Sequence, residues 1–196
     1  MEKPAPTQIP IHELLTRRYS PYGFDARPVP PATLQRLMEA ARWAPSCFNE
    51  QPWSFLVATS DNPAEYDRML ECIVEGNRGW ARTAPVLMIS VASLAFAHNG
   101  KPNRHAYHDV GAATADLTVQ AVSEGISVHP MGGIDLEKAR VTYGIPATHD
   151  PVAGIAIGYA ADFNTLPEPL KQRALAPRSR KSADQFVFSG KWGQGR

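Results

Sequence analysis

Apolar residues recur along this chain at two spacings, and the switches between them predict the order of elements. Residues 10–17 (PIHELLTR) place Pro10 at a first helical turn and Ile11, Leu14 and Leu15 on one inward face of a short helix. The next stretch, RYSPYGFDARPVPP, is too rich in proline and glycine for regular structure. Pro30-Pro31 opens a second helix with Leu34, Leu37, Met38 and Ala41 at helical spacing, and Pro45 stops it. WSFLVATS (53–60) predicts a strand, Asp61-Asn62-Pro63 starts a helix to about Val74, and 75–84 is a loop or short helical turn. PVLMISVAS (85–93) reads as a buried strand, while 94–104 shows no period.

A long helix is predicted from about Arg104 to Glu124, with Val110, Ala113, Leu117 and Ala121 inward and Gly125 just past its end. Gly111, Ala112 and Ala115 on another part of it leave room for a second helix. ISVHP (126–130) is a short strand, and Asp135 caps a helix through Tyr143 that Gly144 terminates. VAGIAIGYA (152–160) is almost continuously apolar, as a strand covered on both faces must be. From Asp162 onward the apolar residues thin out to Phe186, Val187, Phe188 and Trp192, so this tail must lie against another surface. Strands alternating with helices give an α/β or α+β layered domain.

Composition narrows the function classes. The chain has 196 residues, 43% apolar and 20% charged, which suits one domain with a real core. A formal net charge of +1 provides no global field for nucleic acid or an anionic membrane, so any anion site must be local. The first residues carry no apolar signal-peptide core, and no stretch is long enough to span a bilayer. Cys47 and Cys72 are too few for a disulfide scaffold or zinc site, and a reducing, cytoplasmic setting is the expectation.

Motifs for protein-borne chemistry are missing. There is no G-x-G-x-x-G after a strand, P-loop, G-x-S-x-G or H-E-x-x-H. His105, His108 and Asp109 could suggest metal ligands, but no second cluster completes a site, and solvated or capping roles fit better. No histidine and acid can be assigned to Cys47 from sequence. An enzyme with this inventory borrows its chemistry from a cofactor.

Two basic clusters, Arg17-Arg18 beside Ser20 and Arg178-Ser179-Arg180-Lys181, stand near opposite ends of the chain. Separately each reads as a solvated patch, whereas a phosphate monoester would unite them, because guanidinium forks match its oxygens. Between them lie Pro45-Ser46-Cys47-Phe48-Asn49-Glu50-Gln51-Pro52-Trp53, Asn77 ahead of Trp80 and Ala84-Pro85, and Met131-Gly132-Gly133 after a strand. With R-Y-S-P-Y-G-F before them and the R-x-R of Arg178 and Arg180 behind, these features in this order resemble the FMN-dependent nitroreductase family. The resemblance spans nearly the whole chain.

The resemblance implies a single α+β domain over residues 1–196, with a central mixed, mainly antiparallel sheet flanked by helices. It also implies an intertwined homodimer whose C-terminal extension, about 162–196, wraps the partner. Arg18 and Ser20 would bind the phosphate and ribityl end of FMN, with Tyr19 contributing backbone, and Arg178 and Arg180 would close on the same phosphate. Asn77 would reach the ribityl or pyrimidine side. Gly132 and Gly133, after Met131, would set backbone donors near flavin N5 and O4. Pro45, Ser46, Cys47 and Asn49 would come from the other subunit to cover the isoalloxazine ring.

Two positions depart from the family pattern: Tyr22 stands where Arg or Lys is usual, and Cys47 where Ser is usual. The implied activity is transfer of reducing equivalents from NADH or NADPH through FMN to a nitroaromatic, quinone or related small-molecule acceptor. Flavin N5 would carry the chemistry with no catalytic side chain, no metal, and no nucleic-acid or membrane partner. The alternatives are a non-enzymatic flavin-binding or sensor protein, and a specialised dehalogenase or dehydrogenase on the same fold.

Overall fold

A computed structural model describes residues 3–194. Its centre is a sheet of β1 (Trp53–Thr59), β2 (Val86–Ser93), β3 (Ser127–Met131) and β4 (His149–Gly158), ordered β1-β2-β4-β3 with every pairing antiparallel. The expected strands therefore form at the expected places, and the apolar run 152–160 lies within β4, an inner strand.

Side-chain alternation on β2 and β4 divides the core into two layers. Val86, Met88, Ile155 and Ile157 face one layer, where α2 (Pro31–Arg42) and α5 (Ala106–Ser123) supply Leu37, Ala41, Ala113 and Leu117. Leu87, Ile89, Val91 and Ala156 face the other, built with Tyr66, Met69 and Leu70 of α3 (Pro63–Glu71), Trp80 of α4 (Glu75–Ala81) and Ala139 of α6 (Leu136–Tyr143). Both faces of the inner strands are thus covered, which explains why they are apolar at nearly every position. Truncating Leu87 or Ile89, both fully buried, would cost about 2–5 kcal/mol through lost burial and a residual cavity.

Local signals set the helix ends. The Asp135 side chain accepts from Lys138 N at the start of α6, and Gly144 ends it at φ 61°, a left-handed turn that glycine adopts without a Cβ clash. Asn62 caps α3 in the same way. Among the described residues no helix is long and apolar enough to cross a membrane.

Three expectations need correction. The first helix, α1 (Glu13–Arg17), is shorter than 10–17, and Ile11 and Leu15 are exposed, because among the described residues they line an open groove and are not packed in the core. Residues 75–81 form the regular helix α4, whose Trp80 and Ala81 are core residues despite five polar and glycine positions before them. The tail does not leave its own chain at Asp162: Phe163 is buried and packs edge-on to Tyr19, and Ala174 of α7 (Leu170–Leu175) is buried as well. Large apolar groups face outward from the end of α7 onward, Leu175 first and then Phe186 at 62% and Trp192 at 92% exposure.

Candidate functional site

The two basic clusters meet. Arg178 reaches back across the chain, donating from Nη1 to the carbonyls of Lys3 (2.6 Å) and Thr16 (3.2 Å), and from Nη2 to that of Arg18 (2.7 Å). Lys3 Nζ donates in turn to the carbonyls of Ala174 and Ala176. Arg18 Nη1 donates to Ser20 Oγ at 3.3 Å. A cavity of about 270 Å³ opens here, lined by Lys3, Arg18, Ser20, Tyr22, Arg173 and Arg180 among others. Beside it runs a larger groove of about 590 Å³ between residues 5–15 and 179–183, which shares Arg18, Arg178 and Arg180.

This cluster is short of negative charge. Among the described residues no ion pair involves Lys3, Arg18, Arg178 or Arg180. Burial, and then the charges of Arg178 and Arg180, pull the Arg18 pKa below its usual value. Burial and Arg180 do the same to Arg178, and burial and Arg178 to Lys3. Packed cations that destabilise one another's charged form make a site that an anion would relieve.

A wall of rings adjoins the cluster. His129 of β3 stacks on Trp80 at 4.2 Å, and Tyr22 stands edge-on to both, at 5.2 Å from His129 and 5.8 Å from Trp80. His129 Nδ1 lies 2.7 Å from the Pro21 carbonyl, which can only accept, so that nitrogen carries the proton. Burial, with a smaller push from Arg18, lowers the His129 pKa below its ordinary 6.5 despite that bond.

From Trp80 the wall continues to the glycines. Trp80 Nε1 donates to Asn77 Oδ1 at 3.3 Å. Asn77 Nδ2 sits where a Gly133 Cβ would be, 2.2 Å from that position, so only glycine fits beside it. A Cβ on Gly132 would meet nothing within 4 Å. Met131 differs, because its buried side chain packs over Gly154 in the core and can serve the site only through its backbone.

Arg18, Tyr19, Ser20, Tyr22, Arg178 and Arg180 thus line one cavity, while Asn77 and Gly133 line neither cavity and connect to Tyr22 only through the buried Trp80. Pro45, Ser46, Cys47 and Asn49 line neither cavity and lack even that connection. That segment is a tight loop against the start of α5. Ser46 Oγ accepts from Gln51 N, and Cys47 N donates to Asp109 Oδ2, both at 3.0 Å. Phe48, Asn49 and Gln51 hold φ of 55°, 55° and 51°, a left-handed conformation costing about 1–2 kcal/mol per non-glycine residue. Phe48 is 81% exposed, edge-on to Phe96 and His98 of the 94–104 segment, and Glu50 accepts from Ala97 N.

Lys3 and His129 escaped sequence reasoning, as did the part Asp109 plays in the loop. His129 carries no motif, and only its place in a strand running towards Gly132-Gly133 could have drawn attention to it. Among the described residues no group of three or more His, Cys, Asp or Glu could hold a metal ion.

The chain belongs to the nitroreductase family, whose sequence profile matches residues 15–159. A solved oxidoreductase containing FMN is 34% identical and superposes with a TM-score of 0.90, covering 98% of this chain and 97% of its own. Iodotyrosine deiodinase 1 of Rattus norvegicus is 26% identical over 193 residues, covering 84% of this chain and 67% of that protein. The NADH dehydrogenase of Thermus thermophilus is 26% identical over 177 residues, covering 74% and 84% respectively.

Proposed function

We propose that this chain is an FMN-dependent oxidoreductase that takes reducing equivalents from NADH or NADPH and passes them to a small-molecule acceptor. One observation carries the reading: Arg18, Arg178 and Arg180, which no ion pair among the described residues neutralises, gather around one cavity that Ser20 and Tyr22 also line. A dianionic phosphate monoester matches the cluster in charge and in hydrogen-bond geometry. The 34%-identical relative contains FMN, and the Thermus thermophilus relative bears a donor in its name.

Arg18, Ser20 and Arg180 hold the phosphate in this reading, with Tyr19 contributing backbone. Arg178 fixes the Arg18 carbonyl, and thereby the course of the Arg18–Tyr22 segment, while keeping two N–H groups spare. Tyr22 takes the place of a cation by packing on Trp80 and His129, so the wall beside the phosphate is apolar and dry. Asn77 braces Gly133, and the Gly132 and Gly133 backbone N–H groups serve the polar edge of the ring. The chemistry FMN supplies when bound is two-electron transfer, from the nicotinamide and then to the acceptor.

Residues 45–49 serve a second copy in this reading, since they line neither of the two cavities beside the arginines. Exposed Phe186 and Trp192, together with Gly111 and Ala115 on the uncovered side of α5, are the surface that a homodimer would bury. A specialised dehalogenase is the second reading, favoured by the 26% identity to iodotyrosine deiodinase 1 over most of this chain.

The deciding experiment is spectroscopic. Purified protein should be yellow and should bleach when NADH or NADPH is added without oxygen. Yellow protein that neither nucleotide bleaches would make it a binder and not an enzyme. Colourless protein that FMN cannot reconstitute would overturn the reading. Screening the reduced protein against nitroaromatics, quinones and iodophenols then separates the two enzymatic readings.

A further inference from the structure

One buried carboxylate has no part in the flavin reading. Asp109 lies in the first turn of α5 with 2% of its surface exposed. Its Oδ2 accepts the Cys47 N–H at 3.0 Å, and its Oδ1 lies 3.0 Å from Nδ1 of the exposed His108. A buried carboxylate without partners is costly, so the Cys47 amide and Asp109 depend on each other.

The bond stands at a decisive point in the loop. The Ser46–Gln51 bond is internal, and Glu50 ties the far end to the 94–104 segment. Among the described residues, the Asp109 bond is the one hydrogen bond from 45–49 to the helical body. Immediately after it come Phe48 and Asn49, both at φ 55°. A conformation that unfavourable persists only where its surroundings impose it.

We propose that Asp109 is a positioning residue for the 45–51 loop. Its carboxylate pins the Cys47 amide to α5, which holds Phe48 and Asn49 in the left-handed turn and keeps the Phe48 ring turned outward. The consequence for cofactor binding rests on the flavin reading, in which this loop covers the flavin of a second copy. The anchoring itself does not depend on that reading.

Thiol labelling of the apoprotein tests the anchoring without flavin. Cys72 is fully buried, so the fast phase of labelling by a small aromatic disulfide reports Cys47. Asp109→Ala removes a hydrogen bond to a charged group and should speed that phase roughly ten- to a hundredfold. Asp109→Asn keeps a carbonyl oxygen able to accept the same N–H and should stay within about threefold of wild type. Should the alanine variant fail to fold, Asp109→Ser is too short to reach the amide and answers the same question.

Labelling of the alanine or serine variant at the wild-type rate would overturn the proposal. So would an asparagine variant that labels as fast as alanine, because charge and not the accepted bond would then matter. FMN titration of the same three proteins separates the two readings. Weaker FMN binding in Asp109→Ala, restored in Asp109→Asn, supports both. Faster labelling with unchanged FMN affinity upholds the anchoring and counts against the shared site.

Discussion

The arginine cluster and the 45–51 loop would both face the same cofactor, yet they are held in opposite ways. The cluster is built from cations spending their donors on backbone carbonyls, with charge left over and no carboxylate among the described residues paired with it. The loop is built around a buried carboxylate and a backbone in an unfavourable conformation, with its hydrogen bonds closed inside the chain. In the flavin reading one region would be completed by a ligand, whereas the other is formed in advance. An anion site can be read as a charge imbalance, whereas a preformed surface has to be read as strain with an anchor.

The sharpest way to break that contrast is Arg178→Ala. It leaves the carbonyls of Lys3 and Arg18 without their donor, and that of Thr16 with Ala5 N alone, and should cost about 3 kcal/mol, seen as a lower melting temperature even without FMN. A loss seen only with FMN present would make Arg178 a ligand contact and not a clamp. Arg180→Ala should behave in the reverse manner, because among the described residues Arg180 donates only to its neighbour's carbonyl. Its apo stability should hold, while FMN affinity falls by about 1.5–3 kcal/mol, roughly ten- to a hundredfold. Riboflavin, which lacks the phosphate, should bind wild type and variant alike.

On the loop side, Phe48→Gly relieves a positive φ but loosens the unfolded chain, and a net stabilisation of about 0.5–1 kcal/mol is expected in denaturant titration. A destabilised variant would mean that the turn is not under strain. The smallest effect concerns His129, whose pKa lies below 6.5 in the folded chain, so the unfolded chain takes up protons first. Stability should therefore be full above pH 6.5 and fall as pH drops through the folded pKa. His129→Phe should flatten that dependence in melts between pH 7.5 and 5. An unchanged slope would place the sensitive group elsewhere.

Most of the fold was legible because its signals are local. Proline and asparagine at helix starts, glycine after α5 and α6, and the unbroken apolar runs of β2 and β4 each act within a few residues. The parts that were not legible depend on distant partners. Ile11 and Leu15 look like core residues by spacing, but among the described residues they line an open groove and stay about half exposed. Tyr22 looked like a missing cation until Trp80 and His129 appeared beside it. Tyr22→Arg, which the motif alone would recommend, gives up both ring contacts and adds a cation near Arg18. The backbone conformation of 48–51 leaves no mark in composition, since phenylalanine is a poor guess for a left-handed position.

The clamp at Arg178 has a bearing on how the protein is made. It joins positions 160 to 175 apart in the chain, so no part of the bond network can close until residue 178 has left the ribosome. The sheet and α5 are complete some twenty residues earlier and can settle first. In the flavin reading the phosphate site would thus mature late, and flavin loading would follow synthesis instead of guiding it. A ribosome-stalled chain ending near residue 165 should then acquire its sheet yet remain indifferent to added FMN.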